Sequence, residues 1–144
     1  MGRLARLVAV AAVVASLTSG CAVNRATANV DPSANFKAFK TMHVVKLEDD
    51  NRDVNALIAD NLRARGYAVT TGADKPSGKD AVVTYKDRWF WDITMYMVEL
   101  TIVIRDPKDD FPIATGNSYH TSLTRLSPTE MVQEVLDNIF KGGK

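Results

Sequence analysis

A chain of 144 residues, 46% hydrophobic and 24% charged, has the composition of one ordinary globular domain rather than of a disordered or fibrous protein. Its formal net charge of +1 lacks the clustered basic excess that neutralising phosphates requires, which excludes a nucleic-acid binder. A single cysteine excludes a disulfide framework, and one Cys with two His leaves too few ligands for a Cys/His zinc site, so no metal or other cofactor is expected.

Residues 1–20 follow the three-part plan of a secretory signal. Arg3 and Arg6 supply the positive start, Leu7 to Leu17 is apolar, and Thr18, Ser19 and Gly20 are small. The apolar run spans about 16 Å as a helix at 1.5 Å per residue, against a hydrocarbon core of about 30 Å. It is short for a permanent span; the competing reading is a short N-terminal membrane anchor.

Leu17-Thr18-Ser19-Gly20-Cys21 resembles the lipobox of bacterial lipoproteins, with Thr18 where leucine is commonest. The resemblance implies cleavage before Cys21, a diacylglycerol on its sulfur and acylation of the new amino group. Several acyl chains at about 0.8 kcal/mol per buried methylene anchor a protein stably. Ala22, rather than Asp, after the cysteine implies the outer membrane, facing the periplasm. Loss of Arg3 and Arg6 leaves the mature chain with one more acid than base, so charge adds little to the anchoring.

From Ala22 to about Ala34 the chain is polar without helical or strand periodicity, so residues 21–34 read as a lipidated N-terminus and tether. Residues 35–144 read as a single domain. Thr41 to Leu47 reads as a strand, closed by the acidic run Glu48 to Asn51. Asp53 to Arg65 reads as a helix, with Val54, Leu57, Ile58 and Leu62 at helical spacing and Gly66 at the left-handed stop. Short and long strands follow at Tyr67 to Thr71, Asp80 to Phe90, Ile93 to Arg105 and Ile113 to Leu123.

The last helix has the clearest start in the chain. Ser127 is the N-cap, Pro128 the first helical residue and Glu130 the partner in a capping box, with Leu126 and Met131 as a hydrophobic staple. The order β-α-β-β-β-β-α predicts an α+β fold: two layers, a mostly antiparallel five-stranded sheet, and both helices on one face.

Asp31-Pro-Ser-Ala-Asn-Phe-Lys-Ala-Phe-Lys-Thr41, Arg63-Ala-Arg-Gly-Tyr67 and Asp80-Ala-Val-Val-Thr-Tyr85 resemble segments of a widespread uncharacterised family of small bacterial outer-membrane lipoproteins. The resemblance covers most of residues 29–141 and implies this element order. It departs at Met42-His43 and at the aromatic cluster 89–91, and it implies no catalytic residue.

No convergent catalytic set stands out. His43 and His120 fall on different strands, and Asp49, Asp50 and Asp53 lack the spacing of a calcium loop and read as a solvated loop and helix start. Ser118, Ser122 and Ser127 have no nucleophile elbow. Asp87 and Asp92 read as surface carboxylates beside Arg88. The unusual concentration is Trp89-Phe90-Trp91 with Met95, Tyr96 and Met97. Trp89 and Trp91 either cap the core or recognise a sugar, peptide or lipid tail.

A hairpin turning at Trp91-Asp92 pairs Val83 with Leu100, Tyr85 with Val98 and Lys86 with Met97. That register leaves Phe90, Met95, Met97 and Val103 exposed on the sheet face away from the helices, either as a partner surface or as scattered surface residues. The reading is thus a lipid-anchored, non-catalytic envelope protein, an interaction or assembly module that docks on another envelope protein or on its own copies. The alternative is a ligand-binding or hydrolytic lipoprotein acting on envelope glycan or lipid.

Overall fold

The structure is a computed structural model that describes residues 23–143. The signal, the lipobox and Cys21 lie outside the described residues. The elements in chain order are β1 (Asn24–Val30), a 3-10 turn (Phe36–Ala38), β2 (Thr41–Val45), α1 (Val54–Ala64), β3 (Ala68–Gly72), β4 (Ala81–Asp92), β5 (Thr94–Arg105), β6 (Pro112–His120), a 3-10 turn (Ser122–Thr124) and α2 (Pro128–Gly142).

Both helices form where the apolar spacing predicts them. α1 buries Val54, Ile58, Ala59 and Leu62 and stops at Gly66, whose φ of +99° suits a residue without Cβ. α2 starts with the expected reciprocal box: Glu130 N–H donates to Ser127 Oγ at 3.3 Å, and Ser127 N–H donates to Glu130 Oε2 at 2.8 Å. Its buried face is Met131, Val132, Val135, Leu136 and Ile139. The helices meet through Arg65 Nη2 and Asp137 Oδ1 at 2.7 Å and through Asn61 and Gln133.

The strands form one six-stranded sheet in the order β1-β6-β5-β4-β2-β3. α1 lies over β2 and β3, and α2 over β1, β6 and β5, with Met42, Val44, Val83, Tyr85, Leu100, Ile102 and Ile104 buried beneath them. The α+β class agrees with the sequence, but the sheet is mixed and has six strands rather than five. β2 runs parallel to both β3 and β4. A strand that returns through a helical crossover comes back parallel, as α1 forces between β2 and β3.

The sixth strand is the segment expected to be a tether. Asn24 to Val30 pairs antiparallel with β6, from Asn24 opposite His120 to Val30 opposite Ala114. Thr121 N–H donates to Val23 O at 3.0 Å, and Asp31 N–H donates to Ile113 O at 2.8 Å. Antiparallel alternation then turns the odd-numbered residues of β1 to β6 and points the N–H and C=O of Asn24, Ala26, Ala28 and Val30 to the free edge. No described strand lies on that side.

The hairpin register also differs. Val83 pairs with Ile104 and Tyr85 with Ile102, four residues from the expected partners, and this even shift leaves the core face unchanged. Between Arg88 and Trp89 the register then slips: Arg88 faces Glu99 but Trp89 faces Met97, leaving Val98 unpaired as a bulge. The bulge inverts parity for the rest of β5. Met97 is therefore fully buried in the core rather than exposed, while Phe90 and Met95 are exposed and Val103 is half-buried.

Candidate functional site

The hairpin of β4 and β5 runs past the end of β6 and turns tightly at Ile93, with Asp92 opposite Thr94. The 3-10 turn after β6 packs against this tip. Ser122 Oγ donates to Asp92, Arg125 Nη2 reaches Ser122 Oγ at 2.9 Å, and Arg125 Nη1 reaches Thr94 Oγ1 at 2.8 Å. The same turn receives the start of β1, since Thr124 Oγ1 donates to Val23 O at 2.9 Å and Val23 N–H donates to Thr121 Oγ1 at 2.9 Å. Hairpin tip, turn and the first described residues thus form one end of the molecule.

An open cleft of about 470 Å³ lies there on the sheet face away from the helices, walled by Phe90, Tyr96, Val98 and Tyr119 with Arg88 and Asp92 at its rim. The bulge at Val98 builds it, by directing Tyr96 and Val98 to that face. Arginines lie on the aromatic rings: Arg125 4.6 Å from the Tyr96 ring centre, and Arg25 and Arg88 5.7 and 5.9 Å from that of Tyr119. Arg88 also pairs with Glu99 at 3.0 Å.

The two tryptophans have different surroundings. Trp89 packs half-buried against the core, carries Arg52 4.4 Å above its ring and donates Nε1–H to Asp87. Trp91 is exposed. Asp87 and Asp92 occupy opposite sheet faces, so they do not converge as an acid/base pair.

The fold has solved counterparts. The PelC dodecamer from Paraburkholderia phytofirmans matches with a TM-score of 0.58 at 15% identity, covering 81% of this chain and 97% of that one. A single-substitution variant of PelC from the same organism, also a dodecamer, matches at 0.60 and 16% identity with the same coverage. The chain shares the fold of PelC. A PDZ domain protein from Parabacteroides distasonis matches at 0.51 and 13% identity; 90% of this chain covers 38% of that one. No protein-family model and no curated protein sequence matches the chain.

The histidines and serines serve the frame. His43, buried on the outer face, accepts from Thr70 Oγ1 at Nδ1 (2.8 Å) and donates from Nε2 to Gly72 O (3.3 Å), fastening β2 to the edge strand β3. Ser118, His120 and Glu134 do come together, in an order unlike a catalytic triad. Glu134 Oε2 lies between the other two, accepting from Ser118 Oγ and bonding His120 Nε2 at 2.8 Å, while His120 Nδ1 donates to Thr124 O at 2.7 Å. The serine proton goes to the carboxylate rather than to an imidazole base, so the trio clamps β6 to α2. Alternation along β6 puts Ser118 and His120 on one face; only the docked helix supplies Glu134. Among the described residues no three His, Cys, Asp or Glu side chains group as metal ligands would.

Asp50, expected in a solvated loop, is buried at the start of α1. It accepts from Tyr85 Oη at 2.6 Å, Arg52 N–H at 3.0 Å and Asn55 N–H at 3.1 Å. Burial pushes its pKa up, but the Tyr85 hydroxyl and the backbone donors of Asn55, Arg52 and Val54 outweigh it and hold the carboxyl below its ordinary value. Burial and the adjacent carboxylate push the Tyr85 hydroxyl up, keeping it a donor. A depressed folded pKa stabilises the fold above the unfolded value of about 3.9, and the gain is lost as pH falls through the folded value. Tyr85→Phe is therefore expected to cost about 1.5–3 kcal/mol at neutral pH. Urea unfolding at pH 7 and near pH 3 checks this: the gap between the two proteins narrows in acid, and an equal gap at both pH values would contradict it.

Proposed function

We propose that the chain is a non-catalytic lipoprotein of the bacterial envelope, anchored through Cys21 in the outer membrane and facing the periplasm. It works by assembling with further copies of itself and docking on an envelope partner. The observation that carries this reading is the free edge of β1, where Asn24, Ala26, Ala28 and Val30 offer a row of backbone donors and acceptors to an incoming strand. The dodecameric state of PelC, on the same fold, supports self-association. The signal plan and the sequence Leu17 to Cys21 support the anchor and a place among the uncharacterised lipoproteins.

A second reading, a ligand-binding lipoprotein, draws on the aromatic cleft, whose walls suit a sugar ring or an acyl chain.

Native mass spectrometry of the chain extracted from the membranes of an expressing bacterium tests the proposal. The expected chain starts at an acylated Cys21 and flies as an oligomer. Ala28→Pro removes one outward donor without touching the bonds to β6, so it keeps the acyl mass but dissociates into monomers. An unmodified N-terminus at another residue would overturn the anchor; a monomeric wild type would overturn the assembly.

A further inference from the structure

Among the described residues, the large apolar side chains left exposed are Val23, Phe90, Trp91, Ile93, Met95, Phe111 and Leu123. All but Phe111 belong to the end where the tip, the Ser122–Thr124 turn and the start of β1 meet. Ile93 is 86% exposed, Leu123 72% and Trp91 65%. We propose that this end is seated in the lipid surface, with Trp91, Ile93 and Leu123 inserted at the boundary between headgroups and acyl chains.

Three observations converge on a bilayer as the occupant. The first is where the undescribed chain ends. Cys21 is two residues before Val23, a reach of about 7 Å, and Val23 is hydrogen-bonded to Thr121 and Thr124. Because Asn24 to Val30 is a strand and not a tether, an anchor at Cys21 holds this end against the membrane; an anchor formed by Leu7 to Leu17 would do the same. To that extent the inference rests on the membrane-anchored reading.

The second observation is chemical. The apolar tip bearing Trp91 lies beside a set of arginines, Arg125 at the tip and Arg25, Arg52 and Arg88 behind it, whose guanidinium groups lie over aromatic rings. Tryptophan with flanking arginines is the composition that partitions to a membrane interface, where the ring meets the acyl boundary and the guanidinium reaches phosphate.

The third is conformational. Ile93 has a φ of +62° at the turn, where a β-branched residue is strained and Gly or Asn would be relaxed. A fold selected for stability alone has no use for an exposed, strained isoleucine at that position. Insertion into lipid supplies one.

The test uses the mature chain in two forms, acylated and Cys21→Ser, with vesicles of phosphatidylethanolamine and phosphatidylglycerol carrying brominated acyl chains. Trp89 and Trp91 are the only tryptophans, so emission reports on the tip. In the acylated form Trp91 is expected to shift to the blue and to be quenched by bromine, and Trp91→Phe to remove the quenching. The Cys21→Ser form is expected to sediment with the vesicles, and Ile93→Gly with Leu123→Ser to weaken that at least tenfold. Ile93→Gly alone is expected to raise the melting temperature by a few degrees, about what relief of a positive φ gives, which separates lost lipid contact from lost fold. An anchored chain whose Trp91 is unquenched and open to iodide would overturn the proposal. So would a blue shift that grows with protein concentration in the absence of vesicles, which would assign the tip to a second copy. A chain without acyl groups would refute the anchor, while sedimentation of the Cys21→Ser form still reads the tip.

Discussion

Met97→Ser is expected to lower the melting temperature by about 10–20 °C, while Met95→Ser changes it by only a degree or two. The two methionines lie two residues apart on one strand, and simple alternation makes them equivalent. The structure separates them by depth: Met97 is fully buried opposite Trp89, while Met95 is exposed opposite Trp91 at the tip. Truncating a buried methionine removes its transfer free energy and leaves a cavity, together about 2–5 kcal/mol. The serine hydroxyl adds the cost of a polar group without a partner. Circular dichroism melts of the two variants decide the matter. Equal small shifts would mean that the Val98 bulge is absent and that the register continues unbroken to the tip.

Gly116→Val is expected to be at least as damaging. The core face of β6 runs Ala114, Gly116, Ser118, and α2 crosses over it closely enough that a Cβ on Gly116 would lie 2.8 Å from Val135 Cγ1 and 2.9 Å from Ile139 Cγ1. Both side chains are fully buried and have no space to retreat into. The helix must lift, opening the core beneath it, at a cost of about 3 kcal/mol or more, or about 10 °C and upward in melting temperature. Gly72 makes the control: it is also a strand glycine, and a Cβ there meets nothing within 4 Å. Gly72→Val is expected to melt within a degree or two of the wild type. A similar loss at both positions would show that strand glycines matter here through backbone freedom rather than through the approach of α2.

What could be read in the sequence was whatever left a one-dimensional trace. The Ser127 to Glu130 box and the apolar spacing of both helices each stand in a window of a few residues, and each is where it was expected. Of the unbroken apolar face that alternation gives for β5, Tyr96, Val98, Leu100, Ile102 and Ile104, the last three do point to the core while the first two do not. β1 left none. Its residues are exposed on both faces until Val30, so no alternation marks it, and its stability comes from backbone bonds to β6. The bulge at Val98 was equally silent, because valine is unremarkable in a strand and the slip exists only relative to β4. One silent residue reversed the assignment of Met97 and, by turning Tyr96 and Val98 outward, built the aromatic cleft. The clamp of Ser118, His120 and Glu134 likewise needed the docking of α2 before its third member could be named.

The pairing of β1 with β6 also fixes an order of events. Val23 and Thr121 bond to each other across 98 residues of sequence, whereas β4 and β5 are joined by a turn at Ile93 and α1 links neighbours in the sheet. Closing so long a loop is entropically costly, and the partner strand must exist before it can be rewarded. As the chain is made, the N-terminal strand therefore emerges first and is placed last. Until residues 112–120 have emerged and folded, β1 has no partner strand and is open to any other. That interval makes this chain depend on what accompanies it while it folds more than its finished, closed core would suggest.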